Sequence, residues 1–481
     1  MESVEVKSYP PNRTIPKDLL PHRMKQILAF ALAVVTCCYT PIALRAAPNI
    51  VILFADDLGY GDLGCYGSPT IRTPHLDRMA AEGIRFTDFY SASEVCTPSR
   101  AGLLTGRYPI RSGMVPGPTG RRVLFPDSAG GLPANETTIA EVLQAKGYAT
   151  HHVGKWHLGI HPGSRPQDQG FDHSFGFPYS NDMDPIPGLA KGSSGLADPP
   201  LDGWNVPLMR DGKILEQPVD QRTLTKRYTE EAVTFLRENK ERPFFLYLAH
   251  SFPHVPLFAS DEYRGKSRGG IYGDAVEEID GSTGTILDTL REEGLAENTL
   301  VLFTSDNGPW LTMHAQGGSA GPLTDGKGST WEGGMRVPGI LWMPGQIEPR
   351  VSSAPVSTLD ILPTVLNMAK AEVPNGTILD GQDLTPLLFD GKTLPDRPFF
   401  YYRGNELYAC RIGEWKANFV TRTGYGPERA VVHQPPLLHH LGLDSGEIRD
   451  LGSQHPEILT TIQEAVERHR AGVVPAVAQL P

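Results

Sequence analysis

The chain has 481 residues, and its 44 Lys and Arg against 55 Asp and Glu give a formal net charge of −11. That balance argues against a nucleic-acid partner, because nothing offsets phosphate repulsion, yet a local cluster of cations still suits a small anionic substrate. With 40% hydrophobic and 21% charged residues the composition is that of a globular protein, long enough for one large domain and a smaller one.

Residues 1–23 are polar, with Pro10, Pro11 and mixed charges, and resemble neither a signal nor a domain. Met24 is therefore expected to be the true start. From there MKQILAFALAVVTCCYTPIALRA combines a short basic start, an apolar run and small residues at Ala46 and Ala47. This pattern predicts a secretory signal peptide over 24–47, hence a secreted or periplasmic product; a single membrane anchor is the alternative. Export leaves Cys65, Cys96 and Cys410 in the mature chain, an odd number, so at least one thiol is unpaired. A Cys65–Cys410 bridge and two small buried thiols are both open readings. No CxxC is present, which disfavours structural zinc.

Strand-length apolar runs follow at 49–54, 148–153, 243–249, 299–304 and 339–343, continuous rather than alternating, as in strands buried on both faces. Helix signatures lie between them. Thr73-Pro74 opens a helix closed by Gly83, and Thr138 with Glu141 forms a capping box. The alternation predicts an α/β fold, a large mostly parallel sheet flanked by helices, over 48–370. Residues 181–222 carry Pro and Gly without periodicity and read as a long functional loop. Beyond 370 the close-set runs 398–403, 407–412 and 415–420 with a helix at 456–470 predict a small α+β C-terminal subdomain, 371–481, with an antiparallel sheet.

Polar residues fall just past the predicted strands: Asp56 and Asp57 after the first, Lys155 and His157 after the second, His250 and His254 after the third, Asp306 and Asn307 after the fourth. Carboxyl ends of parallel strands are where such sheets bind ligands, so separate strands deliver these groups to one edge. Each Asp-Asp or Asp-Asn pair alone reads as an Asx turn. Two such all-oxygen pairs after two core strands instead point to a hard cation, calcium or magnesium. Cys96 precedes Thr97-Pro98, a helix start, where an anion or a reactive thiolate is favoured, and Arg100 lies one turn on. His151 and His152 lie inside a strand and read as structural.

The stretch CTPSRAGLLTGR (96–107) matches the signature C-x-P-S-R-x-x-x-L-T-G, and with GKWHLG (154–159) the chain resembles the sulfatase family. PNIVILFADDLGYGDLGCYG (48–67), SDNG (305–308) and GKGSTWEGGMRVP (326–338) are likewise similar. Within the family the chain resembles the arylsulfatase A and N-acetylgalactosamine-6-sulfatase group, and GDAVEEID (273–280), RPFFYYRG (397–404) and VPAVAQLP (474–481) resemble the latter in particular. The resemblance implies an alkaline-phosphatase-like fold and a formylglycine-dependent sulfuric-ester hydrolase. By it, Cys96 is oxidised to Cα-formylglycine by a maturation enzyme that reads Pro98 and Arg100. One hydroxyl of the hydrated aldehyde attacks sulfur, and deprotonation of the other ejects sulfate; a serine would manage only the first half. It further implies one Ca2+ on Asp56, Asp57, Asp306, Asn307 and residue 96. Lys155 and Lys327 would neutralise the sulfate, and Arg100 would hold the diol. His157 would act as base, His254 would protonate the leaving oxygen, and Ser180 would be a minor substrate contact.

Two rival readings remain: a phosphodiesterase or phosphonate hydrolase of the same superfamily, and a silent glycan-binding homologue. The complete CTPSR and the full polar set favour sulfate-ester hydrolysis. The substrate implied by the resemblance is an aryl sulfate or a sulfated sugar, such as 6-sulfated galactose or N-acetylgalactosamine. Specificity is expected from 114–130 (with Arg121 and Arg122), 181–222 and the C-terminal subdomain. Oligomeric state is not legible in the sequence.

Overall fold

The run NIVILFA forms strand β1 (Asn49–Ala55), buried along its whole length. Alternate side chains supply two different cores: Val51, Leu53 and Ala55 on one face, Ile50, Ile52 and Phe54 on the other. Each fully buried aliphatic side chain stabilises by about 1.5–3 kcal/mol, which is why the run is apolar without alternation. The computed structural model describes residues 47–189, 196 and 199–481. The expected signal before Ala47 therefore lies outside the described residues, and so does part of the expected 181–222 loop.

The other strands are β2 (Ile84–Tyr90), β3 (Ala149–Lys155), β4 (His173–Phe177), β5 (Leu208–Arg210), β6 (Lys213–Glu216), β7 (Phe244–Ala249), β8 (Thr299–Ser305), β9 (Arg336–Trp342), β10 (Arg350–Ser352) and β11 (Val356–Ser357). They order as β10-β2-β9-β8-β1-β7-β3-β4-β5-β6, with β11 beside β2. The centre, β8-β1-β7-β3-β4, is parallel. The sheet as a whole is mixed, because β9 runs antiparallel to both β8 and β2. Residues 306–335 connect β8 to β9 along the carboxyl edge with no helix crossing the sheet face, so the next strand runs back. This return keeps 306–335 over the strand ends, where the sequence-predicted site residues fall.

Helices cover both faces. Pro74–Glu82, Leu224–Glu238 and Gly270–Glu292 pack on the Val51 side, and Ile139–Ala145 and Ile361–Ala369 on the Ile50 side. The Thr138–Glu141 capping box forms reciprocally, with Glu141 N donating to Thr138 Oγ1 (3.1 Å) and Thr138 N to Glu141 Oε2 (2.8 Å). Gly83 does end its helix, but in extended conformation. Its role is close approach, since a Cβ there would lie 2.3 Å from Leu341 O.

The long loop expected at 181–222 contains the hairpin β5–β6, turned by Asp211 (φ 48°) and Gly212 (φ 77°), an Asp-Gly pair suited to a two-residue hairpin turn. In the C-terminal region β12 (Phe399–Arg403), β13 (Glu406–Ile412) and β14 (Trp415–Thr421) pair antiparallel as expected, and the helix Pro456–Gly472 packs on them. A fourth strand, β15 (Val431–His440), contains Pro435 and Pro436, which disguised it. It is an edge strand with a register shift opposite Asn418–Val420, where missing N–H groups are tolerated. Cys65, Cys96 and Cys410 are all free, so no Cys65–Cys410 bridge forms. No helix among the described residues is long and apolar enough to cross a membrane.

Candidate active site

Five strand ends and the return segment 306–335 converge on one buried cluster. Asp56 and Asp57 leave β1, and Asp306 and Asn307 leave β8 in the adjacent register. Asp57 (φ 65°) turns its N–H onto Asp306 Oδ1 at 3.1 Å, and Asn307 Nδ2 donates to Asp57 Oδ1 at 2.7 Å. The first residue of the helix Cys96–Thr105 places Cys96 Sγ 3.5 Å from Asp56 Oδ1 and 4.0 Å from Asp57 Oδ1. One turn on, Arg100 Nη2 reaches Asp306 Oδ2 (2.8 Å) and Asp56 Oδ2 (3.5 Å). Its Nη1 donates to Lys155 O (3.0 Å), which ties the helix to β3.

Two lysines complete the charge pattern. Lys155 Nζ sits 2.6 Å from Asp56 Oδ2 and 3.1 Å from Ser180 Oγ, and Lys327 Nζ sits 2.7 Å from Asp57 Oδ2. His254 Nε2 lies 3.6 Å from the same Asp57 oxygen. Its Nδ1 faces Val255 O at 2.5 Å, so Nδ1 carries the proton in the neutral ring and Nε2 bears the lone pair. His157 has the opposite tautomer: Nε2 faces Leu124 O at 2.8 Å, which leaves Nδ1 as a buried lone pair with no partner. The structure thus brings together all eleven residues expected from the sequence, and all are buried. His250, also past β7, is buried with neither ring nitrogen paired.

Three carboxylates (Asp56, Asp57, Asp306) face three cations (Arg100, Lys155, Lys327). Burial alone would raise Asp56, but Lys155, Arg100 and Lys327 hold it below the ordinary carboxylate range. Asp57 goes the other way, to about 7, through burial and the neighbouring Asp56 and Asp306, with Lys327 only partly opposing. Burial would strip the charge from Lys155 and Lys327; Asp56 and Asp57 respectively reverse this and raise both above the usual lysine value. Burial pushes His157 and His254 well below the imidazole range, so both are neutral.

At this helix start, where the sequence favours an anionic ligand or a reactive thiolate, burial and then the Asp306 carboxylate push the Cys96 thiol well above its ordinary value, with Lys155 and Lys327 opposing.

The residues present fit a hard divalent cation. Ligand atoms of Asp56, Asp57, Cys96 and His254 lie within 4.8 Å of one another. Asn307 Oδ1 is buried without a hydrogen-bond partner, on the side chain whose amide already serves Asp57. With Asp306 this makes a donor set dominated by oxygen, the preference of calcium or magnesium.

Sequence reasoning missed the mouth of the site. Trp310 lies under Lys327 Nζ (4.3 Å to the ring centre) and beside His254 (5.4 Å), and Tyr425 packs on Trp310 at 5.1 Å. Arg122, singled out earlier, lies over Tyr425 (5.0 Å) and pairs with buried Glu94 at 3.1 Å; Arg121 is exposed and pairs with Asp127. Trp310 follows SDNG closely enough to be suspected from sequence. Tyr425 had no local signal, since only the packing of the β14–β15 loop brings it here.

This arrangement of fold and site has recognisable counterparts. The family model described as Sulfatase matches residues 48–371, and that described as the C-terminal region of aryl-sulfatase matches 394–481. Human arylsulfatase A is 42% identical over 454 residues, 88% of each chain. Human N-acetylgalactosamine-6-sulfatase is 41% identical over 470 residues, 90% of this chain and 87% of that one. The crystal structure of Ps i-CgsB in complex with k-i-k-neocarrahexaose superposes with a TM-score of 0.73 at 30% identity, over 88% of this chain and 92% of that one. The chain belongs to the sulfatase family and is a sulfuric-ester hydrolase.

Proposed function

We propose that the enzyme hydrolyses sulfate monoesters at Cys96 after its conversion to Cα-formylglycine, with one Ca2+ on Asp56, Asp57, Asp306 and Asn307. The observation that carries this reading is the position of Cys96 Sγ, 3.5 Å from Asp56 and 4.0 Å from Asp57 inside a ring of three buried cations. An unmodified thiol has little use for such a place, whereas an oxygen nucleophile there faces both the cation ligands and the sulfate-binding charges. As hydrated aldehyde, the modified residue would offer one hydroxyl to attack sulfur and displace the alcohol, and a second whose deprotonation would reform the aldehyde and release sulfate. Calcium, held by Asp56, Asp57, Asp306 and Asn307, would supply positive charge to the sulfate oxygens and lower the pKa of the attacking hydroxyl.

The chain's own side chains do the rest. Lys155, fixed by Asp56 and Ser180, and Lys327, fixed by Asp57 over Trp310, meet the sulfate oxygens without reorganising. Arg100 locks Asp56 and Asp306 in place and braces the helix that carries residue 96. His157 Nδ1 holds the lone pair that takes the diol proton. His254 Nε2 faces the leaving oxygen. Its ring is neutral in the free enzyme, and the anionic ester provides the counter-charge that lets Nε2 carry a proton, with Lys327 as neighbour.

An aryl sulfate is expected to turn over at least about 100-fold faster than the matching aryl phosphate. Chelation should abolish that turnover and added Ca2+ restore it, together with an upward shift in melting temperature, since a ligand of the native state stabilises it. Equal rates on both esters would favour the phosphodiesterase reading. No turnover despite a modified Cys96 would favour the silent glycan-binding one.

For the physiological substrate we propose a sulfated carbohydrate, 6-sulfated galactose or N-acetylgalactosamine, in an enzyme exported by the 24–47 segment. The names of the N-acetylgalactosamine-6-sulfatase relative and of the neocarrahexaose complex support this, as does the aromatic pair Trp310–Tyr425 at the mouth. Sulfate release from defined sulfated oligosaccharides is the expected result; activity confined to small aryl sulfates would refute it.

A further inference from the structure

Past β4 the chain turns at Ser180–Met183, closed by Met183 N donating to Ser180 O at 3.2 Å. The first two residues of the turn tie it to opposite sides of the site. Ser180 Oγ accepts from Lys155 Nζ at 3.1 Å. Asn181 Nδ2 donates to Gln221 Oε1 (3.1 Å) and to Pro256 O (3.2 Å), two residues past His254, and Gln221 Nε2 donates back to Asn181 O (3.1 Å). Asp182 comes next, so its backbone is fixed at the seam between Lys155 and the segment that carries His254.

The half-buried Asp182 differs from the other carboxylates of the site. Asp56, Asp57 and Asp306 are matched by Arg100, Lys155 and Lys327, whereas no cation among the described residues pairs with Asp182. Burial raises its pKa, with Lys155, Lys327 and Ser180 near enough to oppose in part. Oδ1 is enclosed without a hydrogen-bond partner, so contact with a bound molecule falls to Oδ2, on which no hydrogen bond among the described residues closes. A fourth carboxylate repels the sulfate ester that the site holds. It can only accept hydrogen bonds, and a sulfate ester has no donor to give it. The donor must come from the alcohol side of the ester. A sugar carries one there: in a 6-sulfated hexose the hydroxyl nearest the sulfated carbon is that on C4, since C5 bears the ring oxygen.

We propose that Asp182 is a specificity-determining residue, whose Oδ2 accepts a hydrogen bond from the sugar hydroxyl nearest the scissile ester, the one on C4 in a 6-sulfated hexose. This rests on the carbohydrate reading of the substrate. Trp310 and Tyr425, beside Lys327, offer the sugar an apolar face. Asp182, on the Ser180 side, fixes which way the ring lies on it. A site built to bond a hydroxyl also rejects an alcohol that lacks it, because the carboxylate is then covered without a donor.

The test compares kcat/KM of the intact enzyme on methyl galactoside 6-sulfate, its 4-deoxy analogue and p-nitrophenyl sulfate. In the wild type, loss of the C4 hydroxyl should lower kcat/KM about 10- to 100-fold, the range for a hydrogen bond to a charged group. Asp182→Leu should use the two sugar sulfates equally. Its loss on the hydroxylated sugar should exceed its loss on p-nitrophenyl sulfate by at least about tenfold, a split that a general structural defect would not produce. Asp182→Asn, close in shape but uncharged, should keep only part of the preference, and it decides the matter if Asp182→Leu does not fold. A wild type indifferent to the C4 hydroxyl, or a full preference surviving in either variant, would overturn the role of Asp182 and leave the carbohydrate reading standing. Wild-type turnover confined to p-nitrophenyl sulfate would overturn both.

Discussion

Cys96→Ala is expected to lower aryl-sulfate turnover by about 10⁴-fold or more, the scale of loss when a nucleophile that acts as a unit with its partners is removed. The fold should survive, because Cys96 contributes little packing that alanine does not keep and its helix is held by Arg100 to Asp306 and Lys155 O. Mass spectrometry of the peptide spanning residue 96 should show an aldehyde in place of the thiol in active enzyme. Cys96→Ser is the more discriminating variant. Its single hydroxyl can accept sulfate, but no second hydroxyl can eject it, so a stable sulfate ester at position 96 should accumulate with at most one turnover. Sustained turnover by the serine variant would remove the chemical reason for a formylglycine. Full activity with an unmodified thiol would do the same.

Loss of Glu332 should have the largest effect on stability. Its carboxylate is buried between the catalytic part and the C-terminal sheet, accepting from Tyr90 (2.6 Å), Tyr401 (3.0 Å) and Lys416 Nζ (3.0 Å). Lys416 is itself buried and also pairs with Glu447 at 2.9 Å. Glu332→Gln leaves a buried ammonium short of counter-charge and is expected to cost about 3–5 kcal/mol at neutral pH, read by urea or thermal unfolding. Lys416→Met in that background should recover part of the loss, which a purely steric defect would not.

The same network sets an acid limb. Burial would raise Glu332, but Lys416, Arg336 and Arg411 hold it at about 2, below its ordinary 4.5. A lowered native pKa stabilises above the unfolded value, so this contribution is complete above pH 4.5 and disappears as pH falls towards 2. Glu447, raised by burial, titrates in the opposite sense. The signature of Glu332 is therefore the part of the acid-induced loss that is missing in Glu332→Gln. An unchanged acid limb in that variant would assign the limb to other groups.

Much of the site was legible because its residues sit in short contiguous stretches fixed to strand ends. Once NIVILF and TLVLFT are read as adjacent buried strands, Asp56, Asp57, Asp306 and Asn307 must meet, since strand register leaves them nowhere else to go. Arg100 follows from helical spacing after Cys96. Lys327 is different. Its nearest preceding strand ends at Ser305, and only the return of 306–335 along the carboxyl edge, which made the sheet mixed, lays it on Asp57. Tyr425 and the hairpin β5–β6 were hidden for related reasons: one depends on packing between distant segments, the other on three- and four-residue strands too short to show a period.

By itself, then, the sequence determined which stretches are buried strands, where helices start, and which oxygen, nitrogen and sulfur groups stand at strand ends, because these follow from neighbouring residues. Tertiary structure alone decided strand direction at β9, the tautomers of His157 and His254, the Glu332 network and the protonation state of Cys96. Each of those depends on desolvation and on partners far away in the chain. The helix start at Cys96 favours a thiolate locally, but complete burial beside Asp306 outweighs it, and no stretch of sequence around position 96 records that.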